Sequence, residues 1–321
     1  MRVMAMIMIV AFHSLLLYTG TWWQFEIIQY QPWIKCARFL DSIDLSMFVF
    51  LSGFLYGYFW IYKGKYHDRR DFLRKKVLRL LVPYRFWGIF MILMQPSIHS
   101  WDLLLVGISH LWFLMMLFGL FCLASFLMYF NLEKISGYLL VGFFLLLYCL
   151  WLLYYQYSPH HFFLCIEKVF SYSIPFFIGF FVAKYRLWEL AWVKGKVIFL
   201  TFLSLFILFV YVFFIPQLNA IADDLLIRIF SYSFIVGLFV LLQRNISHVG
   251  RIILKLDKLS MGIYIFNQII INYMVLDSTV LNWLNTNYMI GPVVIFVVSF
   301  FVPLFLSSLF IRTKFLSWTI G

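Results

Sequence analysis

Apolar runs separated by short polar segments make up nearly the whole chain. A transmembrane helix needs about 20 predominantly apolar residues. Ten runs approach or reach that length, at residues 2–20, 43–62, 80–96, 110–130, 138–156, 171–184, 196–215, 225–242, 259–276 and 290–311. The pattern predicts an all-α, polytopic membrane protein with about ten transmembrane helices, forming one integral membrane domain over residues 1–321.

Positive charge alternates between successive connecting segments. Of the 25 Lys and Arg residues, 20 lie at the termini or in one alternating set of loops, at 63–79, 131–137, 184–196 and 243–258. The other set of loops contains only Lys35, Arg38, Lys168 and Arg228. Cytoplasmic loops of membrane proteins carry the excess of Lys and Arg. We therefore predict that both termini are cytoplasmic, which agrees with an even number of spans.

The composition supports the membrane class. The chain is 64% hydrophobic and 12% charged, whereas a soluble domain carries about 25% charged residues. A net charge of +12 would suggest nucleic acid as a partner of a soluble protein. Here membrane topology explains where the cations lie, so we predict membrane lipids as partners and no nucleic acid.

His13 is an ionisable residue inside the first apolar run, eleven residues after Arg2. Eleven residues make roughly three helical turns, which places both side chains on one face, about 16 Å apart along the axis. Ionisable groups at membrane depth are costly and mark candidate functional sites. Imidazole is suited to general base catalysis near neutral pH. The alternative is structural, with Arg2 anchored at the headgroups and His13 bonded to a neighbouring helix.

Asp44 begins the second run, in the segment IDLSMFVFLSGFL. A carboxylate can orient a catalytic histidine and stabilise its protonated form. An acid at a helix N-terminus is equally explained by the helix dipole. Farther along the same run, Ser52 and Gly53 predict a close approach between helices, as small residues allow in membranes.

A basic segment, RRDFLRKKVLRLLVPY, occupies residues 69–84. Lys76 and Arg79 are three residues apart, so on an α-helix they would share a face. Such a pair suits a phosphate or pyrophosphate group. The alternative for most of this charge is attraction to anionic lipid headgroups on the cytoplasmic side.

Other polar and aromatic residues suggest substrate contacts. Trp112, at the start of the fourth run, could form a platform for a sugar or pantetheine chain, or belong to an interfacial aromatic belt. Asn267, with Tyr264 one turn before its neighbour Gln268, could line a cavity or join helices. Adjacent side chains diverge, so the pairs His160–His161 and Asp223–Asp224 are not convincing metal sites, and we predict none.

Together these features resemble acyltransferase family 3, integral membrane enzymes that O-acylate cell-surface polysaccharides and lipopolysaccharides. The resemblance covers nearly the whole chain. Its parts are the Arg2…His13 spacing, Asp44 through LSGF (51–54), the basic run ending in Pro83, LWFL (111–114), PFFIGF (175–180) and SMGIYIF (260–266).

The resemblance implies an O-acetyltransferase of the bacterial inner membrane. Acetyl-CoA or another acyl-CoA would be the co-substrate, with no bound cofactor, and a glycan or lipid-linked saccharide the acceptor. The residues implied are His13 and Asp44 for catalysis, Arg2, Lys76 and Arg79 for the donor, and Trp112, Tyr264 and Asn267 for substrate.

Two positions depart from the family pattern. Lys76 stands where the family has Arg, and it keeps the charge but cannot bind a phosphate through two parallel hydrogen bonds. Asn267 stands where the family has His, and its amide can hydrogen-bond but cannot take a proton. These departures leave His13 as the residue best suited to proton transfer within the membrane.

Two other functions fit many of the same features. A transporter or flippase of lipid-linked saccharides would also have about ten spans with buried polar residues. Transporters often show paired broken helices in two halves, and the sequence has no such pairing. A non-catalytic component of exopolysaccharide assembly is the other alternative, with which the Asn267 departure is consistent.

Overall fold

The computed structural model describes residues 1–21, 27–66, 68–95, 100–130, 134, 136–157, 163–216, 218–245, 249–313 and 316–320. All regular elements in these ranges are helical. The α-helices are α1 (Arg2–Leu16), α2 (Gln31–Asp41), α3 (Asp44–Lys63), α4 (Arg69–Lys76), α5 (Val82–Met94), α6 (Leu103–Val106), α7 (Trp112–Leu127), α8 (Gly137–Tyr157), α9 (Ile166–Lys184), α10 (Ala191–Phe214), α11 (Ala220–Asn245), α12 (Arg251–Leu276), α13 (Ser278–Thr286) and α14 (Gly291–Arg312). A π-helix, Val77–Leu81, joins α4 to α5.

Each of the ten predicted apolar runs coincides with a helix, so the all-α polytopic class is confirmed. Eight helical stretches of the described chain are long and apolar enough to cross a membrane: Gln31–Lys63, Arg69–Met94, Leu103–Leu127, Phe163–Lys184, Lys196–Phe214, Ala220–Arg244, Arg251–Leu276 and Gly291–Arg312. Arg2–Leu16 is apolar but shorter. The number of crossings and the side of the termini stay predictions.

The described chain divides into two compact units, each assembled from segments distant in sequence. Unit 1 contains residues 1–48 and 186–309, and unit 2 contains residues 49–185 and 310–321. Helix α3 contributes its first residues to unit 1 and the rest to unit 2. The prediction of a single membrane domain stays a prediction.

Unit 2 contains a close crossing of α3 and α9 that depends on two glycines. A Cβ on Gly53 would overlap the carbonyl oxygen of Phe176 and lie 2.6 Å from its carbonyl carbon. A Cβ on Gly179 would overlap the carbonyl oxygen of Phe50 in the same way. The close approach predicted at Ser52–Gly53 is therefore confirmed, and its partner is the PFFIGF segment of α9.

Candidate functional site

Helices α1 and α12 of unit 1 pack side by side and run in the same direction. Two polar contacts join them, one between Arg2 and Asp257 and one between His13 and Asn267. The contacts are separated by eleven residues on α1 and ten on α12, or about 15–16 Å of helix. Between them lies an apolar cluster of Val3, Met6, Val10, Leu259 and Ile263. The pairing is thus in register over roughly three turns.

His13 is buried and bonded to a buried amide. Its Nδ1 donates a hydrogen bond to Oδ1 of Asn267 over 2.8 Å. His13 is 8% exposed and Asn267 is 0% exposed. An amide oxygen can only accept, so Nδ1 carries the ring hydrogen and Nε2 carries the lone pair of the neutral imidazole. The contact therefore presents Nε2 as the basic nitrogen.

Arg2 forms an ion pair with Asp257 of α12. Its Nη1 lies 3.0 Å from Oδ2 of Asp257, and the two side chains are 30% and 38% exposed. The sequence motif did not include Asp257. A signal existed, because Asp257 precedes Asn267 by ten residues, nearly the spacing from Arg2 to His13. Donor binding by Arg2 stays a prediction. A donor phosphate would have to compete with the Asp257 carboxylate for the guanidinium group of Arg2.

Exchanging the two charges tests what the Arg2–Asp257 pair does. The pair is partly exposed, and such pairs contribute about 0–1 kcal/mol. We expect Arg2→Asp or Asp257→Arg alone to lower the melting temperature in detergent by a few degrees, because each places like charges together. The double variant should recover at least half of that loss. Equal melting temperatures for the single and double variants would show that the pair does not hold the helices in register.

Asp44 lies at the first turn of α3 and is 1% exposed. Its Oδ1 accepts a hydrogen bond from the backbone N–H of Leu45. This contact with the first turn is what the helix-terminus interpretation predicts. Orientation of His13 by Asp44 stays a prediction.

The basic segment departs from a regular α-helix at the predicted phosphate site. The chain is α-helical through Lys76 and π-helical over Val77–Leu81. In this π-turn the backbone N–H of Val82 donates to the carbonyl of Val77, five residues earlier. Pro83, the next residue, has no N–H to donate. Lys76 precedes this π-helix and Arg79 lies within it, so their common role in phosphate binding stays a prediction.

The two cations have different surroundings within unit 2. The ammonium group of Lys76 lies 3.8 Å from the ring centroid of Phe121 and 5.3 Å from that of Phe72. Arg79 is exposed. Burial raises the pKa of the nearby Tyr66 phenol above its usual value, and the charges of Arg79 and Lys75 partly oppose this shift. Arg79 is therefore the better placed of the pair for an anion arriving from solvent.

Trp112 opens α7 and is half-buried within unit 2. Its ring lies 5.9 Å from that of Tyr172, and the ammonium group of Lys168 lies 5.4 Å above it. Neither Tyr172 nor Lys168 was predicted from the sequence as a site residue. Tyr264, by contrast, is 7% exposed inside α12 of unit 1. Of the three predicted substrate contacts, Trp112 therefore belongs to unit 2, and Tyr264 and Asn267 belong to unit 1.

The acidic pair on α11 is bound by arginines. Asp223 accepts hydrogen bonds from Arg38 at 2.5 Å and from the hydroxyl of Tyr211 at 2.7 Å. Asp224 accepts from Nε of Arg228 at 2.6 Å. In the part of the chain that the structure describes, no three His, Cys, Asp or Glu residues cluster as metal ligands. His160 and His161 lie outside the described residues.

Comparison with known families supplies the class of the chain. A family model described as "Acyltransferase domain", that of acyltransferase family 3, matches residues 1–312. No curated protein and no solved structure matches the chain significantly.

Proposed function

Since the chain belongs to acyltransferase family 3 and is a membrane acyltransferase, we propose that it O-acylates a cell-surface glycan. The donor is an acyl-CoA, most simply acetyl-CoA. The acceptor is a hydroxyl of a polysaccharide or lipid-linked saccharide. The proposed location is the bacterial inner membrane, because a multi-pass enzyme there can draw on a cytoplasmic donor.

The observation that supports this proposal is the buried His13–Asn267 hydrogen bond. An imidazole within an apolar bundle is costly unless it is used or well paired. Here its Nδ1 is held by an uncharged partner, which fixes the ring and leaves Nε2 as the base. A general base that takes the proton of an alcohol attacking a thioester needs a neutral imidazole whose lone pair faces that alcohol. With Nδ1 protonated, the lone pair is on Nε2.

In the proposed reaction, the acceptor hydroxyl gives its proton to Nε2 of His13 as its oxygen attacks the thioester carbon. The carbon–sulfur bond then breaks, and the proton passes from Nε2 to the leaving thiolate. The products are the ester and free CoA. A two-step route, with the acyl group carried briefly on the imidazole, is the variant of this mechanism that covalent catalysis allows. Asp44 is proposed to favour the protonated ring in either route.

The proposed donor contacts are the cations of the basic segment, with Arg79 as the main phosphate ligand and Lys76 as an additional charge. The exposed guanidinium of Arg79 can bind phosphate through two parallel hydrogen bonds. Lys76 can contribute a charge but cannot form these two parallel hydrogen bonds. Trp112 and Tyr264 are proposed to contact the substrates through their rings, and Asn267 through its amide.

Removal of Arg79 should weaken donor binding more than the chemical step. A hydrogen bond to a charged group contributes about 1.5–3 kcal/mol, and exposure at this position favours the lower end. We expect Arg79→Ala to raise the KM for acyl-CoA about 10-fold with kcat little changed, measured as CoA thiol release in membrane vesicles. Arg70→Ala removes another exposed charge of the same segment and is the matched control. An equal effect of both variants on KM would refute a specific phosphate contact.

Membranes prepared with and without this chain test the proposed activity. Membranes containing it should transfer label from acetyl-CoA to saccharide, as an ester released by mild alkali. In cells, deletion of the gene should remove the ester from the surface glycan and leave the polymer in place. Loss of the polymer itself, with no change in ester transfer by isolated membranes, would contradict the proposal and indicate transport or assembly.

A further inference from the structure

Helix α12 carries two neighbouring rows of buried residues, each spaced four positions apart. Residues at this spacing share one face of a helix. The first row, the contact row, packs in clusters with α1 or with Leu17 and Tyr18 just after it, and its third member bonds to His13. The members of the contact row are Leu259, Ile263, Asn267, Ile271 and Val275. This row therefore accounts for how α12 joins α1.

The second row, the polar row, lies beside the contact row, and every member has a polar side chain. The members of the polar row are Ser260, Tyr264, Gln268 and Asn272, each at most 7% exposed. Polar groups inside a membrane helix line a cavity or bond to a neighbouring helix. The hydrogen bonds of the row distinguish these two roles.

Gln268 has one bonded atom and one unbonded atom. Its Nε2 donates to Oδ1 of Asn272, one turn along the same helix, over 3.4 Å. Its Oε1 is buried and has no hydrogen-bond partner among the described residues. The amide thus makes no described bond to another helix, so joining helices does not explain it. Buried polar atoms are nearly always satisfied, and a ligand with an O–H or N–H donor would satisfy this one.

The position of Gln268 along α12 indicates which ligand this is. Gln268 follows Asp257 by eleven residues, or about 16 Å of helix. The Arg2–Asp257 ion pair marks the end of α12 that the charge pattern predicts to be cytoplasmic, so Gln268 lies in the outer half. The donor carries charged phosphates and would arrive from the cytoplasmic end. An uncharged amide in the outer half fits neutral hydroxyl groups, which a glycan arriving from outside carries.

We propose that Gln268 binds a hydroxyl of the acceptor glycan, with Oε1 accepting from that hydroxyl. This inference rests on the proposed acyl transfer and names a binding site for its acceptor. The bound hydroxyl is not the reacting one, because Gln268 adjoins Asn267, which occupies the Nδ1 side of the His13 ring. The reacting hydroxyl is proposed to lie at Nε2 of that ring. One glycan can supply both, since each sugar carries several hydroxyl groups. Asn272 is a positioning residue, because it accepts from the amide nitrogen of Gln268 and leaves Oε1 for the ligand.

A binding contact of this kind differs in its effects from a catalytic group and from a structural one. It acts equally before and during the reaction, so its loss raises KM for the glycan and leaves kcat unchanged. It also lowers stability when no ligand is bound, because Oε1 is buried without a donor. An amide that held the helices together would show the reverse, a loss of stability on removal with KM unchanged.

The substitution Gln268→Met tests both effects. Methionine is close to glutamine in length and shape and has no unsatisfied oxygen. The acceptor probe is oligosaccharide cut from the surface glycan of the same cells and freed of esters with mild alkali. We expect KM for this oligosaccharide to rise about 5–10-fold, the effect of one lost hydrogen bond, with kcat and KM for acetyl-CoA within about threefold. The melting temperature in detergent should be unchanged or higher.

Gln95→Met is the matched control, because Gln95 is also a buried glutamine, 5% exposed, just after α5 in unit 2. It has no proposed part in the reaction, so KM for both substrates should stay within about threefold. An equal rise in KM for the oligosaccharide with the two variants would overturn the proposal.

Three other results would contradict the proposal. If Gln268→Met raises KM for acetyl-CoA instead, the polar row binds the donor. If the variant does not fold, or melts several degrees lower, the amide holds the structure together. If the wild-type protein is active and the variant has the same KM for the oligosaccharide, this inference alone fails. Wild-type protein that transfers no acetyl group to the oligosaccharide would overturn the proposed function as well.

Discussion

The substitution His13→Gln should lower acyl transfer by about 10²–10⁴-fold, the usual contribution of a general base. Glutamine is close to histidine in size and retains hydrogen-bonding groups that can face Asn267. It cannot accept a proton from the acceptor hydroxyl at neutral pH. The expected loss is therefore chemical, with the packing of α1 on α12 largely preserved.

The measurement is the rate of ester formation in membrane vesicles at saturating acyl-CoA, with the elution profile in detergent as a check on folding. His110→Gln is the control, because His110 is also a buried histidine, 6% exposed, outside the proposed chemistry. It should retain most of the activity. A normally folded His13→Gln variant with undiminished transfer would remove the basis of the proposed mechanism.

The substitution Gly53→Ala is expected to disrupt unit 2. The new Cβ would overlap the backbone carbonyl of Phe176, and a backbone atom cannot turn aside as the end of a flexible side chain can. Overpacking costs about 1–3 kcal/mol and sometimes more. Alanine gains about 1 kcal/mol over glycine in a helix, which does not offset an overlap with main chain. We therefore expect the clash to outweigh the helix propensity of alanine, so that the substitution lowers the free energy of unfolding.

We expect Gly53→Ala to reduce the yield of monodisperse protein and to lower its melting temperature by several degrees. Gly142→Ala is the matched control, because a Cβ added to Gly142 in α8 would have nothing within 4 Å of it in the described part of the chain. That variant should be unchanged or slightly stabilised. Equal yields and melting temperatures for the two variants would contradict the close crossing of α3 and α9.

The helices could be predicted from the sequence because apolar runs of about 20 residues form few structures other than transmembrane helices. The boundaries were less accurate. The first run was predicted to extend to residue 20, whereas α1 ends at Leu16. The short helices α2, α6 and α13 lie outside the ten predicted runs, and they were not predicted.

The candidate site was predicted in part. Arg2 and His13 were identified from their spacing on one helix, but spacing does not reveal what lies across from that helix. Their partners Asp257 and Asn267 come from a segment about 255 residues later. Asn267 was considered a substrate contact and a weakness of the site, whereas its bond to His13 makes it a partner of the proposed base.

Lys76 and Arg79 show a different limit of prediction from sequence. Their predicted common face depended on regular α-helical geometry, and the missing N–H of Pro83 accompanies a π-turn over Val77–Leu81. A proline effect on hydrogen bonding was visible in the sequence. Whether the helix would break, kink or widen depended on the packing around it, which local sequence does not determine.

Liposomes containing only the purified chain give the most direct test that His13, oriented by Asn267, catalyses acyl transfer. They would receive acetyl-CoA labelled in the acetyl group and a saccharide acceptor, and alkali-labile label on the saccharide would be counted. We predict ester formation by the wild-type chain and a loss of about 10²-fold or more with His13→Gln. Label transfer that is equal in the two proteins, or no greater than in empty liposomes, would contradict this role of His13.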